Sequence, residues 1–196
     1  MKISNTIKLL VLSALLLSAN SVYAAWQLEP EQSQINFVSV KKASVGEVHS
    51  FKEITGHIDD AGKATVQIAL DSVETLIPVR NERMRTLLFE TANFPHAQLN
   101  AGVDVKALAQ LQPGTALTQE VNVELSLHGK TVALKTLLQI VALQDDKIVV
   151  ATLKPIILNL ADFDLPAGVE RLKEVAQLPS ISLAVPVTAH LVFVKQ

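Results

Sequence analysis

The sequence predicts an antiparallel all-β fold with one or two short helices. Two observations support this prediction: several segments alternate apolar and polar residues with a period of two, and short turn-forming segments separate them. The clearest alternation runs over residues 181–193, where every odd position is apolar. Many short strands joined by short turns are typical of a β-sandwich or a β-barrel, and the pattern alone favours neither.

The strands and turns follow one another along the chain. Besides 181–193, alternation is clear over 121–127 and shorter over 35–37 and 66–70. Pro186 lies within the last strand and has no backbone N–H, so we expect it at an edge or at a bulge. Turn-forming residues separate the strands at positions 60–62, 113–114, 128–130 and 145–146.

Two helical segments interrupt the strands. The first is predicted over residues 78–90, where Pro78 suits the first helical turn and Met84, Leu87 and Leu88 share a face. The second is predicted over about 168–177, where the apolar residues again recur on one face. Neither segment is long enough to change the fold class from all-β with minor α.

The N-terminus has the pattern of a secretory signal peptide. A charged start (MKISNTIK) precedes an apolar run (LLVLSALLLSA) and a small-residue exit (NSVYA). The apolar run is too short to span a bilayer, so we expect cleavage after Ala24 and no stable membrane span. Residues 25–196 are then expected to form one domain. The chain has no cysteine, which excludes disulfides and lipid attachment through a processed cysteine.

Charge and motifs exclude several function classes. Removal of Lys2 and Lys8 with the signal peptide takes the formal net charge from −2 to −4, whereas nucleic-acid-binding proteins usually carry a basic surface. The chain contains neither a G-x-S-x-G nor an H-E-x-x-H motif. His57 and Asp59 share a predicted strand face, but a metal site needs further ligands. The sequence therefore predicts no catalytic residue, no metal site, no cofactor and no nucleic-acid partner.

An ordered set of short motifs extends over residues 26–194. The motifs are Trp26 with SQINF (33–37), HSF (49–51), Gly56, SVET (72–75), RNERMR (80–85), LFE (88–90), FP (94–95), LSLHG (125–129) and VPV (185–187). This set resembles the YceI-like family. The resemblance implies an exported, periplasmic protein with a lipocalin-like antiparallel β-barrel of about eight strands, and binding of polyisoprenoids or other long amphiphiles.

If the barrel is hollow, its inward apolar side chains form the ligand site. A hydrocarbon tail gains roughly 0.8 kcal/mol for each CH₂ that is buried, so binding needs no reactive group. The alternative is that the same side chains pack a solid core, and the resemblance rather than the periodicity favours a hollow. The candidate lining residues are Phe37, Phe51, Val73, Ile77, Leu88, Phe89, Phe94, Leu125, Leu127, Phe163 and Phe193.

The side chains that are candidates for binding a polar head group are His49 and the arginine cluster Arg80, Arg83 and Arg85. Guanidinium groups bind phosphate or carboxylate through two parallel hydrogen bonds, so Arg80 and Arg83 are candidate partners of an anionic head at the barrel mouth. The alternative is a solvated helix face with ion pairs to Glu82 and Glu90. His49 is a candidate hydrogen-bonding partner of the head group, or is bonded to a backbone carbonyl instead.

The sequence thus predicts a non-enzymatic, exported protein that holds an isoprenoid or fatty-acyl lipid inside a β-barrel. Two alternatives remain open. One is a small lipid-processing enzyme that uses His49 with Glu47 or Glu53, of which Glu47 shares a strand face with His49. The other is an interaction module with a solid core that binds a protein at a strand edge. The identity of the lipid and the existence of a homodimer are left open.

Overall fold

The computed structural model describes residues 24–196, which form one antiparallel sheet of 12 strands together with three short α-helices. The strands are β1 (Ala24–Leu28), β2 (Gln34–Lys41), β3 (Val45–Phe51), β4 (Ile54–Asp59), β5 (Lys63–Ala69), β6 (Val73–Glu74), β7 (His96–Gly102), β8 (Ala116–Leu127), β9 (Lys130–Ala142), β10 (Lys147–Thr152), β11 (Ile156–Asn159) and β12 (Ala184–Lys195). The helices are α1 (Pro78–Arg83), α2 (Val105–Gln110) and α3 (Pro166–Val175). A π-helical segment, Met84–Phe89, continues α1 directly and is called the π segment below. Apart from Ala24, the predicted signal peptide lies outside the described residues.

The sheet closes on itself because β1 pairs with strands from both halves of the chain. Trp26 lies opposite Lys195 of β12 on one side and opposite Ile58 of β4 on the other. The ring therefore runs through β1, β4, β5, β7, β8, β9, β10 and β12 and returns to β1, which makes a closed 8-strand barrel. Closure pairs the edges that an open sheet would leave exposed. The structure thus confirms the lipocalin-like barrel.

Four strands lie outside this ring and extend the wall of the barrel at one end. The first half of β12 pairs with β2 on one side and with β11 on the other, and β3 and β6 continue the wall from β2. At this end, called the helical end, α3 packs against the π segment. At the opposite end, called the turn end, the turns at 60–62 and 145–146 join ring strands and α2 buries Leu108 in the core. Within the described part of the chain, no helix has the length and apolar character needed to cross a membrane.

The turn between β8 and β9 determines which residues of these strands face the interior. His128 and Gly129 both have left-handed backbone angles, with φ of 50° and 75°, as a two-residue type I′ hairpin requires. Leu127 consequently lies opposite Lys130, and the apolar positions of 121–127 are buried. The other predicted turns, at 60–62, 113–114 and 145–146, are present as well.

Both predicted helices are present, and one further helix was not predicted. The segment predicted over 78–90 forms α1 and the π segment and ends at Glu90, whose backbone is left-handed. The segment predicted over 168–177 corresponds to α3. The unpredicted helix is α2, which begins where the side chain of Asp104 accepts hydrogen bonds from the backbone N–H groups of Lys106 and Ala107.

Pro186 occupies the kind of position that the sequence predicts. It lies opposite Ile157 of β11, and its following residue, Val187, is where the pairing of β12 with β2 begins. On the β2 side, Pro186 is therefore an edge residue, where a missing N–H removes no ladder hydrogen bond.

Candidate functional site

Three cavities adjoin one another inside the barrel. The mouth cavity, of about 310 Å³, lies at the helical end between β2, β3, α1, the π segment and α3. A middle cavity of about 130 Å³ and a lower cavity of about 100 Å³ lie deeper. Four side chains line both the mouth and the middle cavity: Phe37, Leu88, Leu160 and Val185. Four others line both the middle and the lower cavity: Ile35, Leu99, Ile156 and Ala189.

The interior of this site is apolar. Every side chain that lines the middle cavity is a hydrocarbon, and the only hydroxyls lining the lower cavity belong to Thr136 and Thr152. The rings of Phe37 and Phe51 lie 5.3 Å apart and those of Phe51 and Phe89 5.9 Å apart, so an aromatic row follows one wall. Cavities without polar groups do not hold ordered water well, and a hydrocarbon chain suits them better.

His49 is a buried polar side chain at the mouth of this apolar interior. It lines the mouth cavity, is only 3% exposed, and lies opposite Phe37 in the pairing of β2 with β3. Its Nε2 atom is 2.8 Å from the hydroxyl of Ser39, whereas its buried Nδ1 atom has no hydrogen-bond partner in the described residues. Burial, followed by the positive charge of Arg80, lowers the pKa of His49 to about 4. The ring is therefore neutral near pH 7 and has one unused nitrogen.

Charged side chains surround His49 at the mouth. The Glu47 carboxylate accepts a hydrogen bond from Arg80 Nη1 at 2.9 Å and lies 2.7 Å from Lys41 Nζ. The hydrogen bond from Lys41 is the main cause that lowers the pKa of Glu47. Arg80 also donates to the backbone carbonyl of Thr75 at 2.6 Å. Arg80 is thus held at the mouth by β3 and by the loop before α1.

The arginine cluster divides into residues with different roles. Arg80 does not lie on a solvated helix face, because it reaches Glu47 on β3 instead of Glu82 or Glu90. Arg85 does form such a surface pair, with Glu82 at 3.1 Å. Arg83 lines the mouth cavity and takes part in none of the ion pairs formed between residues 24 and 196.

A buried asparagine, Asn81, holds the loop that precedes α1 in place. Asn81 Oδ1 accepts hydrogen bonds from the backbone N–H of Thr75 at 2.9 Å and from the Thr75 hydroxyl at 2.5 Å. Asn81 Nδ2 donates to Glu74 at 3.0 Å, and Glu74 also accepts from the backbone N–H of Leu76 at 2.6 Å. The hydrogen bond from Asn81, followed by the one from Lys52, lowers the pKa of Glu74 to about 2. The loop is therefore rigidly tied to the start of α1.

Gly168 sets the distance between the two helical elements of the mouth. A Cβ atom on Gly168 would lie 2.7 Å from the carbonyl oxygen of Leu87 and 2.9 Å from the Cα atom of Leu88. Backbone atoms cannot move away as a flexible side chain can, so only glycine allows α3 to approach the π segment this closely. Leu88 in turn lines both the mouth cavity and the middle cavity.

The structure brings most of the predicted site residues together. The mouth cavity contains Phe37, His49, Ile77, Arg80, Arg83 and Leu88, the middle cavity adds Phe51, Phe89, Leu125 and Leu127, and the lower cavity adds Phe193.

Three predicted residues do not line these cavities. Val73 is buried where β6 pairs with β3, opposite Phe51. Phe163 is buried in a short 3₁₀ turn, and its carbonyl oxygen lies 3.3 Å from His128 Nδ1. Phe94 packs against the ring of His128, with 4.3 Å between the ring centroids. Their hydrophobic character indicated burial correctly for Val73 and Phe163 but did not indicate which space they border.

Several cavity residues were missed by the sequence prediction. Ser39 and Lys41 enter the site because β2 pairs with β3, which places them beside His49 and Glu47. Val185 enters because the closing strand passes the mouth. The alternation over 181–193 marks Val185 as inward-facing and was the available signal, whereas nothing local marks Ser39.

A closed barrel with adjoining apolar cavities and a charged mouth defines a lipocalin-like β-barrel protein with an internal cavity. A model of the YceI-like domain matches residues 26–193, and the chain belongs to the YceI-like family. A polyisoprenoid binding domain from Saccharophagus degradans, implicated in plant cell wall breakdown, is 39% identical with a TM-score of 0.87 over 89% of this chain and 100% of that chain.

A more distant solved structure shares the fold. BcnA of Burkholderia cenocepacia is 16% identical to this chain, with a TM-score of 0.64 over 84% of this chain and 98% of that one. At this identity the likeness concerns the fold alone. The comparison with curated proteins found no match.

Proposed function

We propose that this protein binds a long-chain amphiphile of the isoprenoid or fatty-acyl type. The tail occupies the middle and lower cavities, and the head lies in the mouth cavity. The observation that carries the proposal is the continuous apolar lining, in which Phe37 and Val185 join the mouth to the middle cavity and Ala189 joins the middle to the lower one. Protein cores are normally packed without voids of this kind, so three adjoining cavities favour a bound molecule over a solid interaction module.

The similarity to the Saccharophagus domain supports an isoprenoid chain. That protein is a polyisoprenoid binding domain, and the match covers the whole of that domain and 89% of this chain. A linear prenyl or acyl chain gains roughly 0.8 kcal/mol per buried CH₂, from which the cost of ordering the chain is subtracted. Together with the predicted signal peptide, this supports a carrier or a lipid store in the periplasm.

The mouth cavity supplies two kinds of contact for a head group. The unused Nδ1 atom of His49 donates or accepts one hydrogen bond according to the tautomer, and the neutral ring leaves the charge to the arginines. Arg83 is the better candidate for an anionic head than Arg80, because Arg80 is already bound to Glu47 and to the carbonyl of Thr75.

A lipid-processing enzyme is supported less well. That alternative requires a carboxylate to orient His49, but among the described residues neither Glu47 nor Glu53 forms a hydrogen bond with the ring. Glu47 is instead bound by Lys41 and Arg80. The Ser39–His49 contact therefore lacks the third group that orients a catalytic histidine. We propose binding without turnover.

Native mass spectrometry followed by organic extraction tests the proposal. Ala189 faces the middle and lower cavities, so the Ala189→Trp indole is expected to fill the space of the tail. Ala133 is exposed on β9 and provides the matched control, Ala133→Trp. We expect a bound lipid in the wild type and in Ala133→Trp, and none in Ala189→Trp. Repeated recovery of empty wild-type protein, with no rise in melting temperature on adding a polyprenol, would sink the proposal.

A second experiment examines the head group. Arg83→Ala is expected to weaken binding of a prenyl phosphate or a fatty acid about tenfold, which corresponds to about 1.4 kcal/mol, and to leave a neutral prenyl alcohol unaffected. Arg85→Ala is the control, because Arg85 pairs with Glu82 and does not line the mouth cavity. An equal loss for acidic and neutral lipids in Arg83→Ala would show that the arginine is structural.

A further inference from the structure

An exposed apolar lip borders the mouth cavity. Leu76, Ile77 and Val79, in the loop before α1 and in its first turn, are 87%, 42% and 57% exposed. Ile77 and Val79 also line the mouth cavity, so the lip is continuous with the interior. Val175, at the end of α3, is exposed as well and adjoins Ala176, which lines the same cavity. Exposed apolar groups thus lie on two elements that border the opening.

The backbone presents this lip in a strained conformation. Leu76, the most exposed large apolar side chain among the described residues, has a left-handed backbone with φ of 63°. A branched apolar residue rarely adopts this conformation, and such strain persists only where the surroundings enforce it. Here the Leu76 N–H donates to Glu74, which Asn81 holds in place. The structure therefore projects a leucine into solvent from a fixed loop.

The charges around the mouth indicate what covers the lip. Lys41, Arg80 and Arg83 line the mouth cavity with a single carboxylate, that of Glu47. The nearby cations Lys52 and Arg85 are each paired with a glutamate, as is Lys173 on α3. The mouth itself therefore has an excess of positive charge around an apolar rim. Anionic lipid surfaces attract such groups, and their acyl region accepts exposed apolar side chains.

We propose that the protein docks through this lip on an anionic lipid bilayer. Leu76, Ile77 and Val79 enter the interfacial region, and the cations of the mouth cavity face the lipid head groups. Docking would allow a lipid to pass between the bilayer and the cavity without crossing water, and this purpose rests on the proposed function. Docking itself requires only the surface described above.

Co-sedimentation with vesicles tests the docking. We expect the full chain, purified as the exported protein, to sediment with vesicles of phosphatidylcholine and phosphatidylglycerol, and much less with phosphatidylcholine alone or at high salt. Leu76→Asn removes the apolar side chain and keeps a residue that tolerates the left-handed backbone. It is expected to reduce the bound fraction about tenfold. Leu143→Asn, at an exposed leucine of the turn end, is the matched control and is expected to bind as the wild type does.

A second pair of variants examines the charge. Arg83→Gln is expected to weaken sedimentation with anionic vesicles, whereas Lys135→Gln, at an exposed lysine on β9, is not. Failure of the wild type to bind anionic vesicles, or equal effects of Leu76→Asn and Leu143→Asn, would overturn the docking. Mass spectrometry of the same samples separates the two proposals: an empty protein that still sediments contradicts the lipid cargo alone, and a loaded protein that never sediments contradicts the docking alone.

Discussion

The two ends of the barrel differ in how completely their polar groups are hydrogen-bonded. At the turn end the eight strands of the ring are hydrogen-bonded all round, and side chains such as Ile58 and Ile148 are almost wholly buried. At the helical end the ladder is interrupted and helices complete the wall. All buried polar side-chain atoms that lack a hydrogen-bond partner among the described residues belong to this end: His49 Nδ1, Arg80 Nε, Arg85 Nε and His128 Nε2, the last of which lies 3.8 Å from Glu90 at the end of the π segment.

This difference between the two ends bears on which end stabilises the fold and which end is suited to binding. In a closed ring the backbone groups of each strand pair with those of its two neighbours. Buried groups without partners cost free energy, so their concentration at one end is typical of a binding site. The strained backbone of Leu76 belongs to the same end. We therefore expect the ring to provide most of the stability and the helical end to contain the proposed binding site.

The largest expected effect is in the ring. Ile148→Ala removes a fully buried side chain and is expected to lower the free energy of unfolding by about 2–5 kcal/mol. Leu125→Ala is the comparison and is expected to cost less, since Leu125 faces the middle cavity whereas Ile148 lines none of the three cavities inside the barrel. Urea unfolding of the ligand-free protein measures both. A loss for Leu125→Ala as large as that for Ile148→Ala would mean that the cavity is closed in solution.

At the helical end, Asn81→Ala is expected to have the next largest effect. The change leaves the buried N–H and hydroxyl of Thr75 without their acceptor, and two such groups cost about 3 kcal/mol together. It also releases the loop that carries Leu76. Urea unfolding gives the stability, and amide exchange at residues 75–77 reports the loop. Unchanged exchange there would show that the loop is held by other contacts.

Local sequence was sufficient to predict the parts of the fold that local chemistry determines. The apolar alternation over 121–127, the turn at 128–129 and the helix starting at Pro78 depend on neighbouring residues, and all are confirmed. Barrel closure depends on the pairing of Trp26 with Lys195, two residues from opposite ends of the chain. Periodicity contains no information about such a pairing, and only the resemblance to a family indicated it.

The candidate site was predictable to the extent that residue type reveals position. His49 is a candidate because it precedes Phe51 in a segment that resembles a family motif, and Arg80 because it belongs to the cluster Arg80, Arg83 and Arg85. Their partners Ser39 and Lys41 were not predicted, since only the register of β2 against β3 brings them together. Phe94 shows the reverse error: an aromatic residue within a family motif that packs on His128 and does not line the cavities.

Acidification is expected to weaken the helical end through His49. Its pKa is about 4 in the folded protein, against an ordinary value of about 6.5, so the unfolded chain binds more protons between these values. The stabilising contribution is present above pH 6.5 and is lost as the pH falls through 4. Between pH 7.5 and pH 5 we expect a loss on the order of 2 kcal/mol.

The matched variant isolates this contribution. His49→Gln keeps a group that is able to hydrogen-bond Ser39 but does not titrate, so its unfolding free energy is expected to change much less between pH 7.5 and pH 5. The carboxylates with lowered pKa values, Glu47 and Glu74, lose their contributions at lower pH. Parallel pH profiles for the wild type and His49→Gln would show that His49 titrates normally in the folded protein.

The smallest expected effect concerns ion pairs at the two regions. Lys135 and Glu120 form a pair on the outer wall and are both exposed, so Lys135→Ala is expected to change the free energy of unfolding by about 0–1 kcal/mol. Lys41 is less exposed and is the main cause of the lowered pKa of Glu47, so Lys41→Ala is expected to raise that pKa towards its ordinary value. NMR titration of the Glu47 carboxyl measures the shift. If Lys135→Ala destabilises the protein as much as Asn81→Ala does, polar contacts of the wall matter more than the contrast between the two ends implies.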